Sequence, residues 1–234
     1  MLNPLKRFFK SEKYDPKQLA TLSQKLLMVD SQDCFLDYID KHTAHKLDYI
    51  NSTEAYPHRA FSLFVFNSEN KLLMQQRSHK KLTFPLHWSN TCCGHPLKGR
   101  NSEEVKQEAL DRALQELGVK FDTSCITFLG KILYKAPADD YWGEFEVDYL
   151  YFVRDNRFKY ISQLPINSEE CESAEWLQRD KLQDYVKSHD KLVTPWFYQL
   201  VTQTDFGEWW DKFAQGTLEA ASENCEVMSL IKDS

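Results

Sequence analysis

Two short stretches bring together residues whose types could do chemistry. In Asn90–Leu97, NTCCGHPL, two adjacent cysteines stand one residue away from His95, and Pro96 closes the run. Three chemistries fit such a run: a metal site, a fragment of a disulfide framework, or a nucleophile with its base. In Tyr141–Phe152, YWGEFEVDYLYF, Glu144 and Glu146 are two apart, so on a strand their carboxylates share a face and could reach one ion. Spacing alone favours a plainer reading, an acidic strand entrance facing water. Bonding Cys92 to Cys93 would close a strained ring. Six cysteines in a chain of this size read as reduced thiols rather than a framework. No second C-x-x-C pair supports a structural zinc site. A Cys–His nucleophile pair stays open, although no acyl-transfer signature surrounds it. His45 in DKHTAHKLD and His58 in YPHRAF join His95 as candidate ligands, each of which taken singly reads as a surface or satisfied structural histidine. Lys41, Arg77, Lys81 and Arg112 are scattered over three elements and singly read as solvated. Gathered around one cleft, they would hold a diphosphate.

The rest of the chain limits what such a site could serve. A net charge of −6 argues against a general binder of nucleic acid or anionic membranes. No run approaches the roughly 20 apolar residues that span a bilayer. The amino terminus, MLNPLKRFFKSEKYD, lacks a long apolar core with a small-residue cleavage site. The expectation is therefore a cytoplasmic protein acting on a small molecule. Its 234 residues, 42% apolar, suffice for one substantial core. Oligomeric state is not legible.

The elements that must position these residues can be read from periodicity. Residues 1–28 read as a helical extension, with Leu19, Leu22, Leu26 and Leu27 at helical spacing. MVDSQDCFLDYIDK reads as a short strand and turn. Phe61–Phe66 and Leu72–Gln76 flank the turn residues Asn67–Asn70 and predict a hairpin, its first strand buried on both faces. Ser102–Leu117 predicts a helix with Ser102 as N-cap, Glu103 and Glu104 at its positive end and Gly118 as its stop. Val105, Ala109, Leu110, Ala113, Leu114 and Leu117 form its apolar stripe. Strands are expected at Ile126–Tyr134 and Glu146–Val153, and helices at Arg179–Ser188 and Trp196–Phe213. This order predicts a mixed α/β fold, one domain over 29–234 behind the extension.

Taken together, TFPLHWSNTCCGHPL, YWGEFEVDYLYF and VTPWF resemble the type I isopentenyl-diphosphate δ-isomerases, a metal-dependent family on a Nudix fold. The resemblance runs from about Val29 to Trp210. It implies an α/β Nudix-type sandwich, a mixed sheet between helices. It also implies that Cys93 is catalytic, that Glu146 is the acid–base residue and that Tyr134 is its hydrogen-bonding partner. His45, His58, His95, Glu144 and Glu146 would hold a divalent metal, whether zinc, manganese or magnesium. Glu116 would help hold a Mg²⁺ that arrives with the substrate, Lys41, Arg77, Lys81 and Arg112 would bind its diphosphate, and Trp196 would line the hydrocarbon pocket. Gly94 stands where many eukaryotic members have Ser, and Phe145 where many have His.

The implied reaction is a 1,3-allylic proton shift between isopentenyl and dimethylallyl diphosphate. An alkene is a poor base, so the donor must sit against carbon in a dry pocket, with an acceptor on the opposite face. On an extended segment Cys93 and His95 share a side, one for the substrate and one for the metal. Cys92 then points the other way as a small buried hydrophobe. The rival activity is diphosphate hydrolysis. The hydrolase signature, G-x5-E-x7-R-E-U-x-E-E-x-G-U, can be laid on Leu97–Val119, where Glu103, Glu116 and Gly118 agree. Arg112 and Gln115 stand where two of its carboxylates belong. That pattern holds a diphosphate rather than cleaving it.

Overall fold

The computed structural model describes residues 15–99, 101–188, 190 and 192–231. In chain order the elements are α1 (Pro16–Thr21), β1 (Lys25–Val29), β2 (Phe35–Asp40), α2 (Lys41–Ala44), α3 (Leu47–Ile50), β3 (His58–Phe66), β4 (Leu72–Arg77), β5 (Trp88–Ser89), β6 (Cys92–Gly94) and α4 (Ser102–Leu117). There follow β7 (Ile126–Pro137), β8 (Gly143–Arg154), β9 (Cys171–Leu177), α5 (Leu182–Lys187), α6 (Pro195–Gln203), α7 (Phe206–Gln215) and β10 (Val227–Ser229). Strand order runs β10-β7-β8-β3-β1-β2, with β6 also on β3 and with β4 carrying β5 and β9. α4 covers one face and α5–α7 the other, which is the expected sandwich.

β3 explains the layering. Every residue of it is buried, and alternation sends Phe61, Leu63 and Val65 towards α4 while Phe64 and Phe66 meet α6 and α7. On the second face Phe66 stacks on Phe152 and Trp210 with ring centroids 4.8 and 5.1 Å apart. The predicted hairpin is present only at its turn. Phe66 pairs with Leu72, and beyond that point the two strands part. The wedge is Thr91, whose hydroxyl accepts from the Val65 amide at 2.9 Å and donates to the Leu73 carbonyl at 2.6 Å. Side-chain bonds thus replace ladder bonds and leave room for β6, which delivers Cys93 to the middle of β3.

Other expectations change at element ends. The extension is helical only over Pro16–Thr21 among its described residues, and residues 1–14 of that expectation lie outside them. Leu26 and Leu27, read as helical, lie on β1, whose Met28 pairs with His58. The strand therefore crosses the expected boundary at residue 28. α4 has the expected limits, but its N-cap is Asn101, which accepts from the Glu104 amide, and Leu114 is exposed. Gly118 stops it at φ 64. The long helix expected over 196–213 breaks at Thr204 and Asp205 into α6 and α7, and β9 was missed because CESAEWL alternates too weakly.

The start of β8 is a point of close approach. The Gly143 amide donates to the His45 carbonyl at 2.9 Å. A Cβ there would collide with Ile50 Cδ1 and lie 2.9 Å from the Ala136 carbonyl oxygen. Gly143→Ala should therefore cost about 1–3 kcal/mol, the usual range for overpacking. Thermal denaturation should show a lower Tm, partly recovered when Ile50→Val is added. A Tm equal to the parent's would mean that this approach is not tight.

Candidate active site

Strand alternation does most of the positioning. On β3 His58 and Ser62 share a face with Phe64 and Phe66. On β8 Glu144, Glu146 and Asp148 share it with Leu150 and Phe152. The two strands are parallel and pair His58 with Glu146, so both polar ends meet at one place. The apolar halves make core, and the polar halves border a cavity of about 410 Å³.

His45, His58, His95, Glu144 and Glu146 each offer a ligand atom, and all five atoms lie within 4.8 Å of one another. His58 Nε2 and His95 Nε2 sit 3.1 and 2.8 Å from the same Glu146 oxygen, and His45 Nε2 is 3.0 Å from Glu144 Oε2. His45 Nδ1 donates to the Lys41 carbonyl at 2.8 Å, which leaves its Nε2 lone pair for the cluster. Glu144 Oε2 is buried with no hydrogen-bond partner. Burial lowers the pKa of His58 and takes that of His95 well below the usual imidazole range, so both are neutral, as ligands must be. Burial works to raise Glu146, but the His58 and Tyr134 hydrogen bonds outweigh it and hold the carboxyl below its ordinary value. Three imidazoles and two carboxylates, one with an orphaned oxygen, suit a divalent cation.

Beside this corner stands Cys93. Its thiol donates to Asn90 Oδ1 at 3.1 Å, and Ser62 Oγ lies 3.6 Å away. Burial foremost, then the Asp148 carboxyl, pushes the thiol up to about 12 against the Ser62 and Asn90 hydrogen bonds. Cys92 faces the opposite core, fully buried. Gly94 belongs where it is, because a Cβ would lie 2.7 Å from Phe61 Cζ. Phe145 points away from the ligands into a separate apolar cluster. Trp196 donates its indole N–H to the same Asn90 oxygen at 3.0 Å, and its ring centroid lies 6.0 Å from that of Tyr134. Tyr134 in turn donates to Glu146 Oε2 at 2.5 Å. Asn90 was not singled out by its type, yet its one oxygen fixes both thiol and indole. Its own amide group is anchored on the Leu63 and Cys92 carbonyls.

The four cations converge on the cavity. Lys41, Arg77, Lys81 and Arg112 all line it. Arg77 donates to the Thr83 carbonyl at 2.9 Å, and its guanidinium lies 5.4 Å from the Trp196 ring centroid. Glu116 is buried behind them, 2.8 Å from Arg112 Nε and 3.3 Å from the Gln75 amide nitrogen. Glu103, a match to the hydrolase signature, instead points outward with 75% of its side chain exposed and pairs with Lys106. Glu108 was also overlooked. Its carboxylate accepts from the consecutive amides of Leu97, Lys98 and Gly99 at 2.7, 2.9 and 2.7 Å, fastening the segment after His95 to α4.

Fold and site define a Nudix-class protein with a buried His/Glu corner. The NUDIX domain model matches residues 56–197. The chain is 40% identical over 223 residues to isopentenyl-diphosphate δ-isomerase I of Camptotheca acuminata, covering 88% of this chain and 91% of that one. It is 38% identical over 213 residues to the chloroplastic isomerases named 1 in Cannabis sativa and I in Arabidopsis thaliana, covering 84% of this chain and 71% and 70% of theirs. A Deinococcus radiodurans protein superposes with a TM-score of 0.54 at 17% identity over 77% of this chain and 98% of its own, a likeness of fold alone. The chain belongs to the isopentenyl-diphosphate δ-isomerase family within the Nudix fold. The cytoplasmic expectation is corrected by these relatives, two of which are named chloroplastic. Its physical basis was thin, since plastid leaders are amphipathic and have no apolar core to look for.

The cationic wall makes one consequence measurable. Burial, then the Lys81, Arg112 and Arg77 charges, lowers the Lys41 ammonium to about 8 against the pull of Glu144. An anion entering this wall favours the charged form and raises that pKa, so above about pH 8 binding takes up a proton. Inorganic pyrophosphate should therefore bind more weakly as pH rises through 8. Calorimetry at several pH values should show this extra loss in the parent and not in Lys41→Arg, whose guanidinium stays charged. Parallel pH profiles for the two proteins would remove Lys41 from the wall.

Proposed function

We infer that this chain interconverts isopentenyl and dimethylallyl diphosphate, moving a carbon–carbon double bond by an allylic proton shift in isoprenoid biosynthesis. The observation that carries the assignment is the meeting of Cys93 and the Glu146–Tyr134 pair in one cavity that four cations also line. The wall of Lys41, Arg77, Lys81 and Arg112 takes the diphosphate and orients the hydrocarbon towards the His/Glu corner. When bound, a divalent ion held by His45, His58, His95, Glu144 and Glu146 (zinc, manganese or magnesium) fixes the Glu146 geometry, and a Mg²⁺ near Glu116 neutralises the diphosphate charge.

The chain's own groups then account for the proton movement. Cys93 keeps its proton at neutral pH, whereas Glu146 is ionised. One member of the pair delivers a proton to one end of the alkene, and the other removes a proton from the allylic carbon. The roles exchange between the forward and reverse directions. The tertiary cation that develops between them lies against Trp196, whose ring face can stabilise it by ~2 kcal/mol or more once water is excluded. Tyr134 holds Glu146 through its hydroxyl hydrogen bond, and Asn90 keeps thiol and indole in register.

Hydrolysis is poorly served by the same groups. Glu116 is engaged by Arg112, Gln115 carries no charge, and Glu108 is saturated by three amides.

Two outcomes follow. Cys93→Ala should abolish turnover while leaving pyrophosphate affinity within about twofold, and Cys92→Ala should cost little activity, because neighbouring residues on a strand face opposite sides. Equal damage from both would mean that the two faces are wrongly assigned.

In D₂O, turnover should place deuterium in the carbon chain of the allylic product, followed by NMR, without release of phosphate or pyrophosphate. Phosphate or pyrophosphate release matching substrate loss, with no deuterium in the carbon chain, would replace the isomerase by a hydrolase.

A further inference from the structure

Among the four cations, two already have a partner that none of the roles above requires. Glu170 stands in the cavity wall. One of its carboxylate oxygens pairs with Lys81 Nζ and lies 2.9 Å from Arg112 NH2. Only 19% of the Glu170 side chain is exposed, and 11% and 31% of those of its two partners. The other pair of cations is different. Arg77 is bonded to the uncharged Thr83, and Lys41 is lowered by burial and by its like-charged neighbours. The wall is thus divided into a half held in close ion pairs, Lys81 and Arg112, and a half, Lys41 and Arg77, whose nearest influences are Glu144 at longer range and the Thr83 carbonyl.

The placement of Glu170 is rigid at the backbone and free at the side chain. Asn167 ties its turn to the end of α4, its amide donating to the Glu116 carbonyl at 2.9 Å. The Glu170 amide donates to the Asn167 carbonyl at 3.0 Å, and the Glu170 carbonyl accepts from the Ser78 amide at 3.1 Å. These bonds fix the main chain beside the wall, so that displacement of the carboxylate would be a rotation of the side chain.

We propose that Glu170 is a resident counter-anion of the diphosphate pocket, a positioning residue that holds Lys81 and Arg112 in the empty enzyme and gives them up to the second phosphate of the substrate. This rests on the diphosphate reading above and adds a residue to it. The carboxylate stands where a phosphate oxygen would, paired with the same donors. Without it Lys81 and Arg112 would keep, among the described residues, only Glu116, 3.8 and 2.7 Å away, as a counter-charge between them. With it, a ligand anchored through one phosphate at Lys41 and Arg77 brings its second phosphate to the occupied pair at high effective concentration, and can dislodge the carboxylate. Glu170 therefore weakens binding while keeping the donors arranged to receive it.

The test uses the full chain and inorganic pyrophosphate, first in EDTA and then with Mg²⁺. Glu170→Gln keeps the size of the side chain and removes the competing charge. Calorimetry in EDTA should show pyrophosphate binding roughly three- to tenfold tighter than to the parent, the scale of one partly exposed charge interaction. The variant should have the lower Tm when empty and the larger rise in Tm on adding pyrophosphate. A crystal structure of the parent with pyrophosphate should show the Glu170 carboxylate turned away from Lys81 and Arg112. Unchanged or weaker affinity in EDTA would overturn the proposal, and so would a carboxylate that stays on both cations in the complex. Affinity lost only with Mg²⁺ would overturn it too, making Glu170 an ion ligand. A parent that binds no pyrophosphate would sink the diphosphate reading and this proposal together, whereas deuterium incorporation judges the isomerase assignment independently.

Discussion

The site depends on one register. β3 and β8 run parallel with His58 opposite Glu146, and this pairing decides which side chains see the cavity. A slip of one residue would turn Glu144, Glu146 and Asp148 towards the apolar side and bring Phe145 and Val147 into the ligand corner. The register is protected from the far end of the same strands. Phe64 and Phe152, with ring centroids 5.5 Å apart, and Phe66 would all have to leave a packed aromatic cluster for the slip to occur. The core under α6 and α7 therefore sets the geometry of a site several residues away, through the rigidity of two strands buried on both faces.

What gathers there is electrostatically expensive. Buried carboxylates and imidazoles lose hydration, and the corner leaves Glu144 Oε2 and one Asp148 oxygen without partners. Burial, and then the Glu146 charge, raises the Asp148 carboxyl well above its ordinary range. The cations in the same cavity add to the cost, since burial first and then the Lys81, Arg112 and Arg77 charges lower Lys41. A divalent ion among the carboxylates and a diphosphate among the cations would relieve both costs, and groups arranged in advance of their ligands need little reorganisation during reaction.

How much of this was legible depended on whether a signal was local. α4 was readable because one amphipathic period, acidic residues in the first turn and a glycine stop all lie within one stretch. The shared face of Glu144 and Glu146, and the opposite faces of Cys92 and Cys93, follow from strand alternation alone. The wedge of Thr91 was not readable, because a threonine between two strands looks like any other. Asn90 and Glu108 were hidden for the same reason. Their roles come from bonds to Trp196, 106 residues on, and to a loop on the far side of α4's start. The end of the amino-terminal extension misled because Leu26 and Leu27 suit a helical stripe, yet two adjacent leucines also suit a strand covered on both sides, and pairing with β2 and β3 decided it.

The same helix shows why this member of a fold shared with hydrolases favours keeping the diphosphate whole. Activating water on a diphosphate asks for several carboxylates to hold cations around the scissile bridge. On α4 the outermost match, Glu103, faces solvent, and Arg112 lies against Glu116 so that this carboxylate meets a guanidinium first. Lys81 adds a second cation 3.8 Å from the same carboxylate. A diphosphate held by fixed side-chain cations is gripped at its oxygens without a nucleophile aimed at phosphorus. Cys93 and Glu146, the groups proposed to react, lie instead near the Trp196 and Tyr134 rings. Chemistry is thereby moved from the charged end of the substrate to its hydrocarbon end.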